Sequence, residues 1–210
     1  MTSGSARMKS LLGQQKVVPV IKIDDLENAV PLARALASGG LPLIEVTLRT
    51  KAALDCIRKI AAEVPEAVVG AGTILSPSQF DEAVSAGSKF IVSPGVTVSL
   101  LKAAEGNDVP LLPGAITPGE IMLAREAGLD FLKFFPAEQA GGADFIKSLA
   151  SPFAGISFCP TGGVSLANAS SYLSLPNVVC VGGSWVAPDK LVAAKDWEAI
   201  TQLARDAAKL

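Results

Sequence analysis

The chain has 210 residues, 50% hydrophobic and 18% charged, with a formal net charge of −2. That supplies one large core, but too little positive charge to neutralise a nucleic-acid backbone or coat an anionic membrane. No apolar run reaches the roughly 20 residues of a membrane span, and the polar opening at residues 1–7 is not followed by a signal-peptide core, so the expected location is the cytoplasm.

In chain order, residues 1–8 read as a disordered extension, followed by a short N-terminal helical segment and a single repetitive domain over 9–210. Apolar, β-branched or aromatic runs at 17–23, 42–48, 67–73, 90–95, 110–115, 131–137, 157–163 and 178–184 predict eight strands at nearly regular spacing. Helical patterns fill the intervals. The first carries Leu26, Ala29, Val30, Ala33, Leu36 and Ala37 as one stripe, and the second Leu54, Ile57, Ala61 and Val64. Pro19 inside the first strand and Pro31 inside the first helix run against local rules. Ser76-Pro77-Ser78-Gln79 and Thr117-Pro118-Gly119-Glu120 read as capping boxes with proline at the first helical position, and Gly87 and Gly128 end the helices they open. Strand and helix alternating eight times imply a parallel sheet, and right-handed βαβ units close it into an α/β fold of the (β/α)8 TIM-barrel type. A doubly wound open sheet is the alternative. It normally has fewer strands, and no G-x-G-x-x-G turn follows the first strand here.

The sixth strand, Phe131-Leu132-Lys133-Phe134-Phe135-Pro136-Ala137, holds a lysine among aromatic residues. Alternation puts Phe131, Lys133 and Phe135 on one face and Leu132 and Phe134 on the other, so Lys133 has no wet side. An ammonium withdrawn from water finds a partner or gives up its proton, and a neutral amine is a nucleophile. A strand-end lysine reaching back to solvent is the simpler alternative. In the second strand, Glu45, Thr47 and Arg49 share one parity, which places a carboxylate inside the barrel. Glu45 suits a base, acting through water, and Arg49 a two-pronged grip on a carboxylate, unless the two merely form an ion pair at the rim. Histidine is absent, which removes the commonest metal ligand and general base. Cys56, Cys159 and Cys180 form no C-x-x-C pair and read as reduced core thiols. Strands seven and eight end in Gly162-Gly163 and Gly182-Gly183-Ser184, where amide groups at helix N-termini would hold a phosphate, although glycine pairs also make plain turns. Together these residues suit carbonyl chemistry on a phosphorylated sugar acid.

The segments Val18-Pro19-Val20-Ile21, Ile44-Glu45-Val46-Thr47-Leu48-Arg49-Thr50, Val69-Gly70-Ala71-Gly72-Thr73, Ser93-Pro94-Gly95, Lys133-Phe134-Phe135-Pro136-Ala137-Glu138, Phe158-Cys159-Pro160-Thr161-Gly162-Gly163 and Gly182-Gly183-Ser184-Trp185 follow one another in order. Across residues 9–210 the chain resembles the bacterial 2-keto-3-deoxy-6-phosphogluconate aldolases, which also act as 4-hydroxy-2-oxoglutarate aldolases. The resemblance implies a class I aldolase of the Entner–Doudoroff route, a homotrimer without metal or cofactor, that yields pyruvate and glyceraldehyde 3-phosphate. It further implies Lys133 as the Schiff-base lysine and Glu45 as the acid/base. Arg49 and Thr73 would lie around the pyruvate carboxylate, Pro94 and Phe135 in the same pocket, Thr161 beside the substrate, and Gly162, Gly163, Gly183 and Ser184 on the phosphate side. Lys22 and the stretch Gly114-Ala115-Ile116-Thr117-Pro118 depart from the family pattern. Lys22 reads as a phosphate contact or, more simply, as a solvated strand-end lysine. A galactonate-epimer aldolase shares every imine residue, and a barrel that binds sugar phosphate without turnover is the non-enzymatic alternative.

Overall fold

Residues 4–210 are described by a computed structural model, and residues 1–3 lie outside it. The predicted apolar runs each contain one strand: β1 (Val17–Ile21), β2 (Leu43–Thr47), β3 (Val68–Gly72), β4 (Ile91–Val92), β5 (Leu111–Leu112), β6 (Phe131–Phe134), β7 (Ser157–Pro160) and β8 (Val181–Gly183). The strands stop short of the run ends, where the chain turns away to form the loops of the site. Helices α2 (Ala29–Ser38), α3 (Ala53–Glu63), α4 (Pro77–Ser85), α5 (Val98–Ala104), α6 (Pro118–Glu126), α7 (Gly142–Leu149) and α8 (Ala169–Leu173) follow β1 to β7 in turn. Two helices, α9 (Asp189–Ala193) and α10 (Trp197–Ala207), follow β8.

All strand pairs are parallel. Six strands form one ladder in the order β5-β4-β3-β2-β1-β8, and β6 pairs with β7. Isolated bridges join the two units, Gly114 to Lys133 on one side, and Phe158 to Val178 and Thr161 to Gly182 on the other, so eight strands complete the ring. Alternation then divides the core into two shells. Inside the ring lie Val18, Leu43, Phe90, Val92, Leu112, Phe131, Cys159 and Cys180. Between ring and helices lie Ile44, Val46, Val69, Ala71, Leu132, Phe134, Phe158 and Val181, against helix residues such as Leu32, Leu36, Ile57, Phe80 and Ile200. Lys133 shares the inward parity of Phe131, as its sequence position required.

The N-terminal segment differs from expectation. Residues 4–8 are not a loose extension but begin α1 (Gly4–Leu12), whose Met8 and Leu12 plug the barrel floor. Ser5 Oγ accepts from the N–H groups of Asp130 at 2.9 Å and Phe131 at 3.3 Å, which ties the helix to the start of β6. The stripe on α3 is also rotated from the expected one: Ala53, Cys56, Ile57, Ile60 and Val64 are buried, whereas Leu54 is partly covered and Ala61 exposed. Ile60 buries far more apolar area than Ala61, so the helix turns towards it. The two prolines fit without loss. Pro31 falls in the first turn of α2, where a regular helix needs no N–H, and Pro19 is the last residue of β1 registered against β8.

Among the described residues, no helix is long and apolar enough to cross a membrane. All three cysteines are free and buried.

Candidate active site

The inward parity of β2 and β6 brings Glu45 and Lys133 together although they are far apart in sequence. Lys133 Nζ donates to Glu45 Oε1 at 3.2 Å, with the two residues only 5% and 4% exposed. The buried lysine has therefore found a partner and does not reach back to solvent. Enclosing two charges costs several kcal/mol for each unless they are paired, so the pair is needed even before any chemistry is considered. Lys133 Nζ also lies 5.4 Å from the centre of the Phe135 ring.

Room for the carboxylate comes from the neighbouring strand. Thr47 pairs in register with Gly72, and a Cβ built on Gly72 would stand 2.0 Å from Glu45 Oε1. Gly70 makes the same allowance for the Phe90 ring and Gly182 for Thr161 Oγ1, where a Cβ would lie 2.4 Å and 2.3 Å away. Inside so narrow a ring these glycines accommodate the protein's own large side chains.

Glu45 and Arg49 are not an ion pair. Arg49 Nε donates to Thr47 Oγ1 at 2.9 Å, and the Thr47 hydroxyl donates to the Ile21 carbonyl at 3.0 Å. One edge of the guanidinium is thereby anchored. The residue lines the cavity described next.

That cavity, about 220 Å³, opens at the C-terminal ends of the strands, the usual position of a barrel active site. Its lining includes Lys133, Glu45, Arg49, Thr73, Pro94, Phe135, Thr161, Gly162, Gly163 and Ser184. Thr73 has φ 60°, a costly left-handed conformation for a β-branched residue, and strain of this kind concentrates at functional sites. Gly183 is the one expected site residue that does not line the cavity. It has outward parity beneath the Trp185 ring, and Gly182 takes the inward place. Val20, Thr47 and Val164 line the cavity as well without having been assigned to the site. For Val20 and Thr47 the signal was inward parity on β1 and β2; Val164 gave none. Two larger hollows, of about 580 Å³ beside α1 and α5 and about 650 Å³ between α2 and α10, contain no paired amine and carboxylate.

One further expectation needs amending, and of the two readings of Lys22 the simpler one holds. α8 and α9 begin at Ala169 and Asp189, so the glycine pairs lie in the loops that precede these helices and not at their N-termini. Lys22 Nζ is 2.9 Å from Asp24 Oδ2 outside the cavity lining, and the hydrogen bond and charge of that carboxylate raise its pKa. It is a paired lysine at a strand end.

An amine and a carboxylate in contact, enclosed at the catalytic end of a (β/α)8 barrel, are the groups that an enzyme of the Schiff-base lyase class requires. A family model described as "Aldolase: KDPG and KHG aldolase" matches residues 8–203. The chain belongs to that family. It is 50% identical over 207 residues to the KHG/KDPG aldolase of Escherichia coli K12, covering 99% of this chain and 97% of that protein. It is 48% identical over 198 residues to the 2-dehydro-3-deoxy-phosphogluconate aldolase of Zymomonas mobilis, with coverage of 94% and 93%. Among solved structures, the KDPG aldolase of Legionella pneumophila, with pyruvate captured as a covalent carbinolamine, superimposes with a TM-score of 0.93 at 40% identity over 99% of this chain and 98% of that one. The Zymomonas mobilis enzyme with 3-phosphoglycerate gives 0.91 at 46% identity, with coverage of 97% and 96%.

Proposed function

We propose that the protein cleaves 2-keto-3-deoxy-6-phosphogluconate to pyruvate and glyceraldehyde 3-phosphate, the aldol step of the Entner–Doudoroff route. The observation that carries this reading is the enclosed Lys133–Glu45 contact at 3.2 Å. Glu45 takes a proton from the Lys133 ammonium, and the free amine adds to the C2 ketone to give a carbinolamine. Glu45 returns the proton to the departing hydroxyl, water leaves, and an imine remains. The same carboxylate, through a water molecule, removes the proton of the C4 hydroxyl. The C3–C4 bond breaks, its electron pair moves through C3 to the imine nitrogen, and the aldehyde product departs. Protonation of the enamine at C3 and hydrolysis then release pyruvate and restore the amine.

Arg49 grips the substrate carboxylate with its terminal nitrogens, and Thr73 contributes its hydroxyl. Pro94 and Phe135 wall the pyruvate end, and Thr161 lies beside the sugar chain. At the far end, successive left-handed glycines with φ 98° at Gly162 and 77° at Gly163 form a turn bare of side chains. Its N–H groups and the Ser184 hydroxyl take the phosphate, and Gly183 carries Ser184 to the cavity. The covalent pyruvate adduct of the Legionella pneumophila relative and the 3-phosphoglycerate complex of the Zymomonas mobilis relative support the two ends of this assignment. 4-Hydroxy-2-oxoglutarate, named by the family model and the Escherichia coli relative, passes through the same imine. The enzyme acts as a cytoplasmic homotrimer without a cofactor. Its three free, buried thiols suit a reducing compartment.

Borohydride reduction in the presence of pyruvate, with peptide mapping, tests the assignment. A stable adduct is expected on Lys133, and modification elsewhere, or none, rejects it. Glu45→Gln should lower kcat by about 100- to 10,000-fold while some trapping persists, because the amine remains.

A further inference from the structure

Gly163 is gripped from several sides by groups that do not touch the cavity. Asn168 Nδ2 donates to the Gly163 carbonyl at 3.1 Å, while Asn168 Oδ1 accepts from the Ser165 N–H at 2.7 Å. On the other flank, a Cβ built on Gly163 would lie 2.5 Å from Glu138 Cγ, so the stem of Glu138 rests directly on the turn. The Glu138 N–H donates to the Gly162 carbonyl at 3.1 Å. The carboxylate of Glu138 is held in turn by the phenol of Tyr172, which donates to Oε1.

Tyr172 is buried in the outer shell of the core, on the helix that begins just after Asn168. The two side chains stand one helical turn apart and so share a face. Burial, and then the hydrogen bond and charge of Glu138, raise the tyrosine pKa, so it remains a protonated donor. One short helix thus reaches the same glycine twice: directly through Asn168, and through Glu138 on the loop that leaves the lysine strand.

We infer that Glu138 and Tyr172 are positioning residues that set the Gly162–Gly163 turn for the phosphate of the substrate, and thereby its preference for a phosphorylated over an unphosphorylated 2-keto acid. This rests on the proposed reading of that turn as the phosphate end. Neither residue touches the imine end, so the effect is confined to recognition of the distal group. Displacements of about 1 Å in a positioning contact can cost up to 100-fold.

The experiment compares 2-keto-3-deoxy-6-phosphogluconate with 4-hydroxy-2-oxoglutarate in wild type, Tyr172→Phe, Glu138→Ala and Glu138→Gln. Tyr172→Phe and Glu138→Ala should raise KM for the phosphorylated substrate roughly 10-fold or more, leaving kcat/KM for the unphosphorylated one and pyruvate trapping within about twofold. Glu138→Gln keeps an acceptor oxygen and the stem, and should behave as wild type. Equal losses on both substrates, or a Glu138→Gln variant as impaired as Glu138→Ala, would overturn the proposal. A wild-type preference for phosphate that survives in Tyr172→Phe and Glu138→Ala overturns it alone, whereas a wild type without that preference removes the reading of the turn as well. Should Tyr172→Phe not fold, the two Glu138 variants, altered at the rim, decide the matter.

Discussion

A methyl group at Gly72 would stand 2.0 Å from the Glu45 carboxylate, so the most conservative substitution there strikes the group proposed to move protons. Gly72 does not have a left-handed φ, so alanine meets no backbone penalty and its effect is confined to the collision. Gly72→Ala is expected to fold, with kcat reduced by about 100-fold or more, because a base displaced by an ångström loses its alignment. Steady-state kinetics beside a circular-dichroism melt would show an activity loss out of proportion to any loss of stability. The chemical types at the site were legible in the sequence, because a lysine and a glutamate on inward parities of apolar strands are expensive there. Their meeting was not. It depends on β2 and β6 facing each other across the ring, and the reason for Gly72 depends on the β2–β3 register. The places of Gly182 and Gly183 follow from alternation along β8, which a count of glycines does not show.

At the scale of the element, α6 shows how far a local signal carries. Glu120 Oε2 accepts from the N–H groups of Thr117 at 2.8 Å and Ile116 at 2.9 Å, and Thr117 Oγ1 accepts from the Glu120 N–H at 3.3 Å. Burial alone would raise the Glu120 pKa, but the hydrogen bonds from Thr117 and Ile116 together hold it below the usual carboxylate range. Its stabilising contribution is therefore complete above the unfolded value of about 4.3 and is lost as pH falls through the lowered folded value. Thr117→Ala should cost about 1 kcal/mol. Urea midpoints of wild type and Glu120→Gln should differ at pH 7 and converge on acidification. Both capping motifs were readable because they span four residues, although Gln79 reaches back to the Leu75 N–H at 2.8 Å rather than to Ser76. The face of α3 was not, since apolar residues at both Ile60 and Ala61 allow two phases, and the larger area of Ile60 decides between them only once the helix packs.

For the whole molecule, the open floor of the barrel is the feature no local pattern announces. α1 closes it: Met8 is fully buried, and Gln15 Nε2 donates to the carbonyls of Val17 and Leu43, both at 2.8 Å, to fasten the chain at the same end. Met8→Ala should lower stability by about 2–5 kcal/mol, seen as a reduced urea midpoint, with kcat retained because the cavity lies at the opposite end of the strands. The alternation of strands and helices gave the barrel away, since it repeats eight times, whereas α1 lies outside the repeat and its first residues look like a tail.

The ring has two seams, and two of the proposed site residues, Lys133 and Thr161, sit on them. Lys133 is itself the bridge partner of Gly114, and Thr161 that of Gly182, so the two-stranded leaf β6–β7 meets the six-stranded ladder through these positions. A substrate joined covalently to the leaf at Lys133 and held by Arg49 and Thr73 on the ladder would span the gap between them. On the proposed mechanism the reaction intermediate would be a temporary stitch across a seam that the backbone already closes, made with the imine and undone by release of pyruvate.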